Sequence, residues 1–163
     1  CGNCTWSRII RIDPWRLQPV GRVGKRRSIV INLQAVNANV SRVPFFRFLN
    51  FEVQEVDSLR ADTEMTFESR HIGNPVLELY HGGIIASFME ATAAIAVQPD
   101  FADVPAKPIN LTVDYLRPGV KGPLFARANV TRKGKRMASV SVITWQTDRE
   151  KAVAEGLYHF LLV

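Results

Sequence analysis

Over Gly82–Val97 the chain is apolar almost all the way round: Ile84, Ile85, Phe88, Met89, Ala91, Ala93, Ala94, Ile95, Ala96 and Val97 leave no polar face. That is the pattern of a helix enclosed by other structure. On either side the period drops to two. Before the helix, Phe51–Val56 reads as a strand, and residues 62–67 alternate Thr63, Met65 and Phe67 with Asp62, Glu64 and Thr66, a half-exposed strand. The hairpin between them closes through residues 57–61. After the helix, Pro99, Pro105 and Pro108 mark a loop, and four strand patterns follow. Ile109, Leu111, Val113 and Tyr115 alternate up to the Arg117-Pro118-Gly119 break; Leu124, Ala126, Ala128 and Val130 run to the turn Lys133-Gly134-Lys135; Met137–Trp145 and residues 152–162 complete the set. Upstream, Ile29, Leu33, Val36, Val40 and Val43 fall at steps of three and four, predicting a short helix capped by Ser28 and stopped by Pro44. An aromatic lead-in loop, Pro44–Leu49, then carries Phe45, Phe46 and Phe48. Two strands, one enclosed helix and four antiparallel strands predict an α+β fold in which a single curled sheet wraps the helix.

At 163 residues with 47% hydrophobic residues, the chain suits one well-packed domain. The net charge of +6 suggests nucleic acid until it is located: Arg8, Arg11, Arg16, Arg22, Lys25, Arg26 and Arg27 against Asp13 account for all of it. From Ser28 onward the charges balance, so the basic signal belongs to residues 1–27, read as a leader, and the folded domain is 28–163. A phosphodiester groove needs basic residues organised on the domain itself, which excludes nucleic acid as the expected partner. No apolar run reaches the roughly 20 residues of a membrane span, and the expectation is a soluble cytoplasmic protein with no membrane partner. Cys1 and Cys4 form a CxxC with no second pair, and no His, Cys and carboxylate grouping suggests a metal.

The candidate chemistry sits in the helix. Gly82 and Gly83 at its start lack Cβ atoms, so a ligand carbonyl or anion can approach the unpartnered N–H groups of a helix N-terminus. Glu90 stands alone in the apolar middle, where burial raises the pKa of a carboxyl and suits it to act as base or nucleophile. Eight residues at roughly 1.5 Å each place it about 12 Å along the axis from Gly82. One carbonyl cannot touch both groups of the same helix. If they share a substrate, the carboxylate comes from a second copy running antiparallel across a two-fold axis.

Asn74-Pro75, His81-Gly82-Gly83, Glu90, the run Leu-Thr-Val-Asp-Tyr-Leu-Arg-Pro over 111–118, Gly122 and Lys133-Gly134-Lys135, in this order and spacing, resemble the hotdog-fold acyl-CoA thioesterases of the phenylacetate-degradation type, within the 4-hydroxybenzoyl-CoA thioesterase-like superfamily. The resemblance runs from about residue 41 to the C-terminus. It implies a hotdog fold, a homodimer that pairs further into a homotetramer, and an acyl-CoA substrate with no cofactor beyond the coenzyme A of the substrate itself. Carried over by position, it implies that Gly82 N–H polarises the thioester carbonyl and that Glu90 of the opposing protomer activates water or attacks directly. Asn74 would orient the water or acyl group, and His81 would shape the start of the helix. Gly83 and Ser87 on that helix are candidate substrate-binding residues; a Ser so placed can hydrogen-bond within the site or back to its own helix. Lys133, Gly134, Lys135 and Arg136 form a basic turn suited to coenzyme A phosphates. Many relatives carry Asp where this chain has Glu90, and Pro108 lies near where several place a Ser or Thr.

The expected reaction is therefore hydrolysis of an acyl-CoA thioester. The alternative from another class is a non-catalytic acyl-CoA binding or sensing module on the same fold, distinguished by ligand binding without turnover. A hotdog dehydratase pairs its His with a carboxylate in a different motif. Smaller features take ordinary readings: His71 a loop residue, His159 a strand residue, Trp145 and Tyr158 sheet or interface residues, and Asp114 a member of a structural pair.

Overall fold

A computed structural model describes residues 31–98 and 106–162 of the protein. The expected cap at Ser28, the leader and the first part of the loop after the long helix lie outside the described residues. The first helix, α1 (Leu33–Val40), is capped instead by Asn32, whose Oδ1 accepts from the N–H groups of Gln34 and Ala35 at 3.0 and 3.3 Å. Residues 44–49 form a second short helix, α2 (Pro44–Leu49), rather than a loop. Pro44 at its first turn is pre-set for helical φ and lacks only an N–H that would have been unsatisfied anyway. Asn50, at φ 53°, supplies the left-handed residue that ends it.

Strands β1 (Phe51–Val56) and β2 (Arg60–Met65) follow the expected register of inward and outward residues, but the turn is tighter than predicted. Asp57 Oδ1 accepts from Leu59 and Arg60 N–H at 2.7 and 2.8 Å, so Arg60 and Ala61 already belong to β2. Phe67 lies beyond the strand. A 3₁₀ turn (Ser69–His71) leads into a small hairpin, β3 (Ile72–Asn74) and β4 (Leu79–Tyr80), too short to show a period in sequence. The long helix α3 spans Gly82–Val97 as predicted. The last four strands are β5 (Lys107–Tyr115), β6 (Leu124–Lys133), β7 (Met137–Trp145) and β8 (Ala154–Leu161).

Six strands make one antiparallel sheet in the order β1-β2-β6-β7-β8-β5, curled around α3. Phe88, Met89, Ile95 and Val97 of the helix are buried against Met65, Leu124, Val140, Val142, Tyr158 and Phe160. The small residues Ala126 and Ala128 on β6 let the helix come close. Gly156 on β8 does the same: a Cβ there would stand 2.9 Å from the Tyr158 ring and 3.2 Å from Met89 Cε. This is the hotdog fold. On its outer face Arg127 and Asp62 pair across β6 and β2 through two hydrogen bonds.

The two sheet edges differ. Asn37 of α1 covers β1, accepting from Val53 N–H at 2.9 Å and donating to Val53 O at 3.0 Å in imitation of a further strand. At the other edge, β5 has β8 on one side and no described strand on the other, and almost every residue in it is exposed. Its register puts Leu111, Val113 and Tyr115 opposite Tyr158, Gly156 and Ala154, on the face that holds the helix, yet Leu111 is 42% and Tyr115 53% exposed. Among the described residues no helix is long and apolar enough to cross a membrane.

Candidate active site

The β3–β4 hairpin exists to deliver His81. Gly73 lies so close that a Cβ on it would stand 2.6 Å from His81 Cα, and His81 N–H donates to His71 O at 2.8 Å. His81 is the N-cap of α3: its Nδ1 accepts from Gly83 N–H at 2.9 Å, and its carbonyl accepts from Ile84 and Ile85 N–H at 2.9 and 3.2 Å. His81 therefore holds the helix start by accepting, with any ring proton on Nε2. Gly82 N–H is the one donor of this helix start with no hydrogen-bond partner among the described residues. It keeps the partial positive charge of the helix end, on a glycine that is itself half-buried. Tyr115, brought from β5, packs on the other side of Gly82: its hydroxyl donates to Gly82 O at 2.8 Å, and a Cβ on Gly82 would stand 3.2 Å from the ring. Gly82 has to be glycine for a reason that only the fold reveals.

Glu90 is half-buried rather than fully enclosed. The helix leaves one stripe incompletely covered, Gly82, Gly83, Ala86, Ser87, Glu90 and Ala94, at steps of three and four. Burial raises the Glu90 carboxyl above its ordinary pKa of 4.5. No hydrogen bond or ion pair reaches it among the described residues. Beneath it, Tyr158 donates its hydroxyl to Ala86 O at 3.2 Å, and its own proton is held more tightly by burial first, then by the nearby Glu90 and Tyr115. Thr92, two residues on, is the opposite case. Fully buried, its hydroxyl lies 2.9 Å from Phe88 O as donor and 2.7 Å from Thr63 Oγ1. The fold can satisfy a polar group on this helix and leaves Glu90 without that provision.

The remaining sequence candidates fall at two places. Asn74, at the end of β3, commits its Oδ1 to the N–H groups of Val76 and Leu77 at 3.0 and 3.1 Å, which leaves its amide nitrogen as the side chain's donor. Ser87 shares the open stripe with Glu90. The basic turn lies at the far end of α3. Lys133 Nζ donates to Val97 O at 2.7 Å, closing the helix C-terminus, and Gly134 N–H donates to Met137 O at 2.8 Å, while Lys135 and Arg136 are exposed. His71 is not a loop residue: it is fully buried, its Nδ1 accepts from Glu68 N–H at 3.2 Å, its Nε2 lies 3.2 Å from Phe48 O, and its ring stacks on Tyr80. Asp114 stands across from Glu155 and makes no ion pair among the described residues. Sequence reasoning missed Gly73 and Tyr115. Tyr115 sits at the inward phase of its strand, but nothing local marks Gly82 as its partner. Among the described residues no three His, Cys, Asp or Glu side chains group to hold a metal ion.

A free N–H at a diglycine helix start, on the open stripe that carries an unpartnered carboxylate, can bind a developing oxyanion and supply a base. The thioesterase superfamily matches residues 78–153, the stretch that holds both groups. A structurally characterised protein of Chromobacterium violaceum is 32% identical, with 80% of this chain and 90% of that one covered and a TM-score of 0.64. The chain belongs to the thioesterase superfamily. A medium/long-chain acyl-CoA thioesterase of Salmonella typhimurium, YigI, is 26% identical over 117 residues, 63% of this thioesterase and 76% of that protein. The E. coli PaaI protein from the phenylacetic acid degradation operon shares the fold, with a TM-score of 0.68 at 23% identity over 80% of this chain and 95% of PaaI.

Proposed function

We propose that this thioesterase hydrolyses an acyl-CoA thioester to a carboxylic acid and free coenzyme A, at sites formed between two antiparallel copies of α3. The observation that carries the reading is that Gly82, with the one N–H of the helix start that has no partner among the described residues, and Glu90, whose carboxylate has none among them either, lie on one incompletely covered stripe of the same helix. Their separation along one helix, about 12 Å, requires a second copy for both to meet one carbonyl. Small residues on that stripe allow two helices to approach, and the exposed edge of β5 with its uncovered Leu111 and Tyr115 gives the second sheet a place to join. An antiparallel second helix also brings its own basic turn toward Gly82, so that Lys135 and Arg136 can meet coenzyme A phosphates.

In this arrangement the thioester oxygen accepts from Gly82 N–H, which stabilises the negative charge that grows on it as the carbonyl carbon is attacked. Glu90 of the other copy takes a proton from the attacking water, or attacks itself to give an anhydride that water then opens. In both routes the C–S bond breaks and the coenzyme A thiolate leaves and takes up a proton. Asn74 donates from its amide nitrogen to water or acyl oxygen at the same helix start.

Free-thiol release from a panel of acyl-CoAs, with medium and long chains first because of the similarity to YigI, tests the reading. Wild-type turnover that falls by about 10²-fold or more in Glu90→Ala is the expected result. Coenzyme A binding with no turnover of any thioester would move the assignment to a binding or sensing module.

A further inference from the structure

The Tyr115 hydroxyl has no part in the reaction just described, yet it crosses 33 residues of sequence to reach Gly82 O at 2.8 Å. We infer that Tyr115 is a positioning residue that fixes the direction of the Gly82 N–H. The inference rests on the thioesterase reading, since it names the purpose of that N–H. Two consecutive glycines are the loosest start a helix can have, because each has more backbone freedom to lose than any other residue. The peptide joining Gly82 to Gly83 is held at both ends, its oxygen by Tyr115 and its N–H by His81 Nδ1 at 2.9 Å. The peptide joining His81 to Gly82 is held at its oxygen by Ile84 and Ile85 N–H. Only its N–H is left over, and it cannot swing while both neighbours are fixed.

The Tyr115 ring adds a second restraint. It stands where a Gly82 side chain would be, 3.2 Å from the position of a Cβ, so it replaces the steric guidance that glycine lacks. The two bonds on the Gly82–Gly83 peptide also polarise one another in series, hydroxyl to carbonyl and N–H to imidazole. Tyr115 touches the carbonyl side of Gly82 and not its N–H, so it acts through the backbone. An oxyanion donor works by being aimed before the reaction at the place where charge develops. Loss of the hydroxyl therefore weakens transition-state binding more than ground-state binding.

The test is Tyr115→Phe in the full chain, which keeps the ring and removes the hydroxyl. The expected result is a kcat about tenfold lower with KM within about twofold of wild type, together with shifted and faster-exchanging amide NMR signals of Gly82 and Gly83. An unchanged kcat, or a raised KM with kcat intact, overturns the positioning role. If the wild type turns over no thioester, the proposed function fails by itself, and the amide signals still decide the clamp: unchanged Gly82 and Gly83 signals in Tyr115→Phe overturn it.

Discussion

At its C-terminal end α3 gives Val97 O to the Lys133 ammonium at 2.7 Å and Ala94 O to Gln98 N–H at 3.0 Å; at its N-terminal end His81 and its neighbours take the other donors and leave Gly82 N–H over. A lysine at the negative end of a helix dipole is a stabilising device, satisfying an orphan carbonyl and complementing its charge. At the positive end the Gly82 N–H has no partner among the described residues, so no hydrogen bond there offsets its orphan donor. The lesson is that capping was available to this chain at both ends, and one end was left incomplete at a single atom. The same contrast runs along the helix between Thr92, fully bonded on the covered side, and Glu90, unbonded on the open stripe.

The sharpest way to break this contrast is to remove the unpaired groups. Glu90→Gln is expected to lower kcat/KM by about 10²-fold or more. In the wild type, thiol release followed against pH should rise as Glu90 ionises, with a midpoint above 4.5, and the variant should lose that limb. Stability moves the other way. A carboxyl whose pKa is higher folded than unfolded binds its proton more tightly in the fold, so its contribution is fully present below about 4.5 and is lost as pH rises through the folded value. Glu90→Gln should therefore flatten that part of a denaturation-against-pH curve; an unchanged curve would mean that Glu90 is not desolvated.

Gly82→Ala comes next. Its methyl meets the Tyr115 ring at 3.2 Å and crowds the N–H, and about a tenfold to 10²-fold loss of kcat is expected with the chain still folded by circular dichroism. Activity equal to wild type would show that a methyl at this position neither crowds the N–H nor displaces Tyr115 from it. The smallest effect belongs to the closed end. Lys133→Ala should cost about 1 kcal/mol, a Tm lower by about 2–4 °C in thermal melts, with KM for the acyl-CoA within about twofold. A KM that rises severalfold with Tm unchanged would instead make Lys133 a phosphate contact and the two ends alike.

Elements with long, bounded patterns are legible in the chain itself. The run over Gly82–Val97 and the strands Phe51–Val56 and Met137–Trp145 hold the boundaries that their apolar periods predict. The six residues of α2 read as a loop in sequence because three phenylalanines mask the stronger signals, proline at the first turn and an asparagine suited to positive φ at the end. The β3–β4 hairpin, three residues paired with two, is shorter than any period that could reveal it. Glu90 is legible as an unusual carboxylate because nothing else polar and ionisable stands in that helix. Its half-exposure is not, because an apolar sequence on all sides does not say which side the protein's own sheet leaves open.

The sequence by itself determined the reactive parts: two glycines at the start of a helix, an acid two turns and more along it, and a set of strands able to enclose it. Those follow from local sterics, spacing and the period of apolar residues, all of which are written within a few turns of chain. The tertiary structure decided which N–H was left free, that Tyr115 from β5 would restrain Gly82, and that Lys133 from β6 would leave the basic turn to close the other end. These choices join residues 33 and 36 positions apart. A hydrogen bond at that separation depends on how the sheet curls and which strands become its edges, and no window of sequence contains that information.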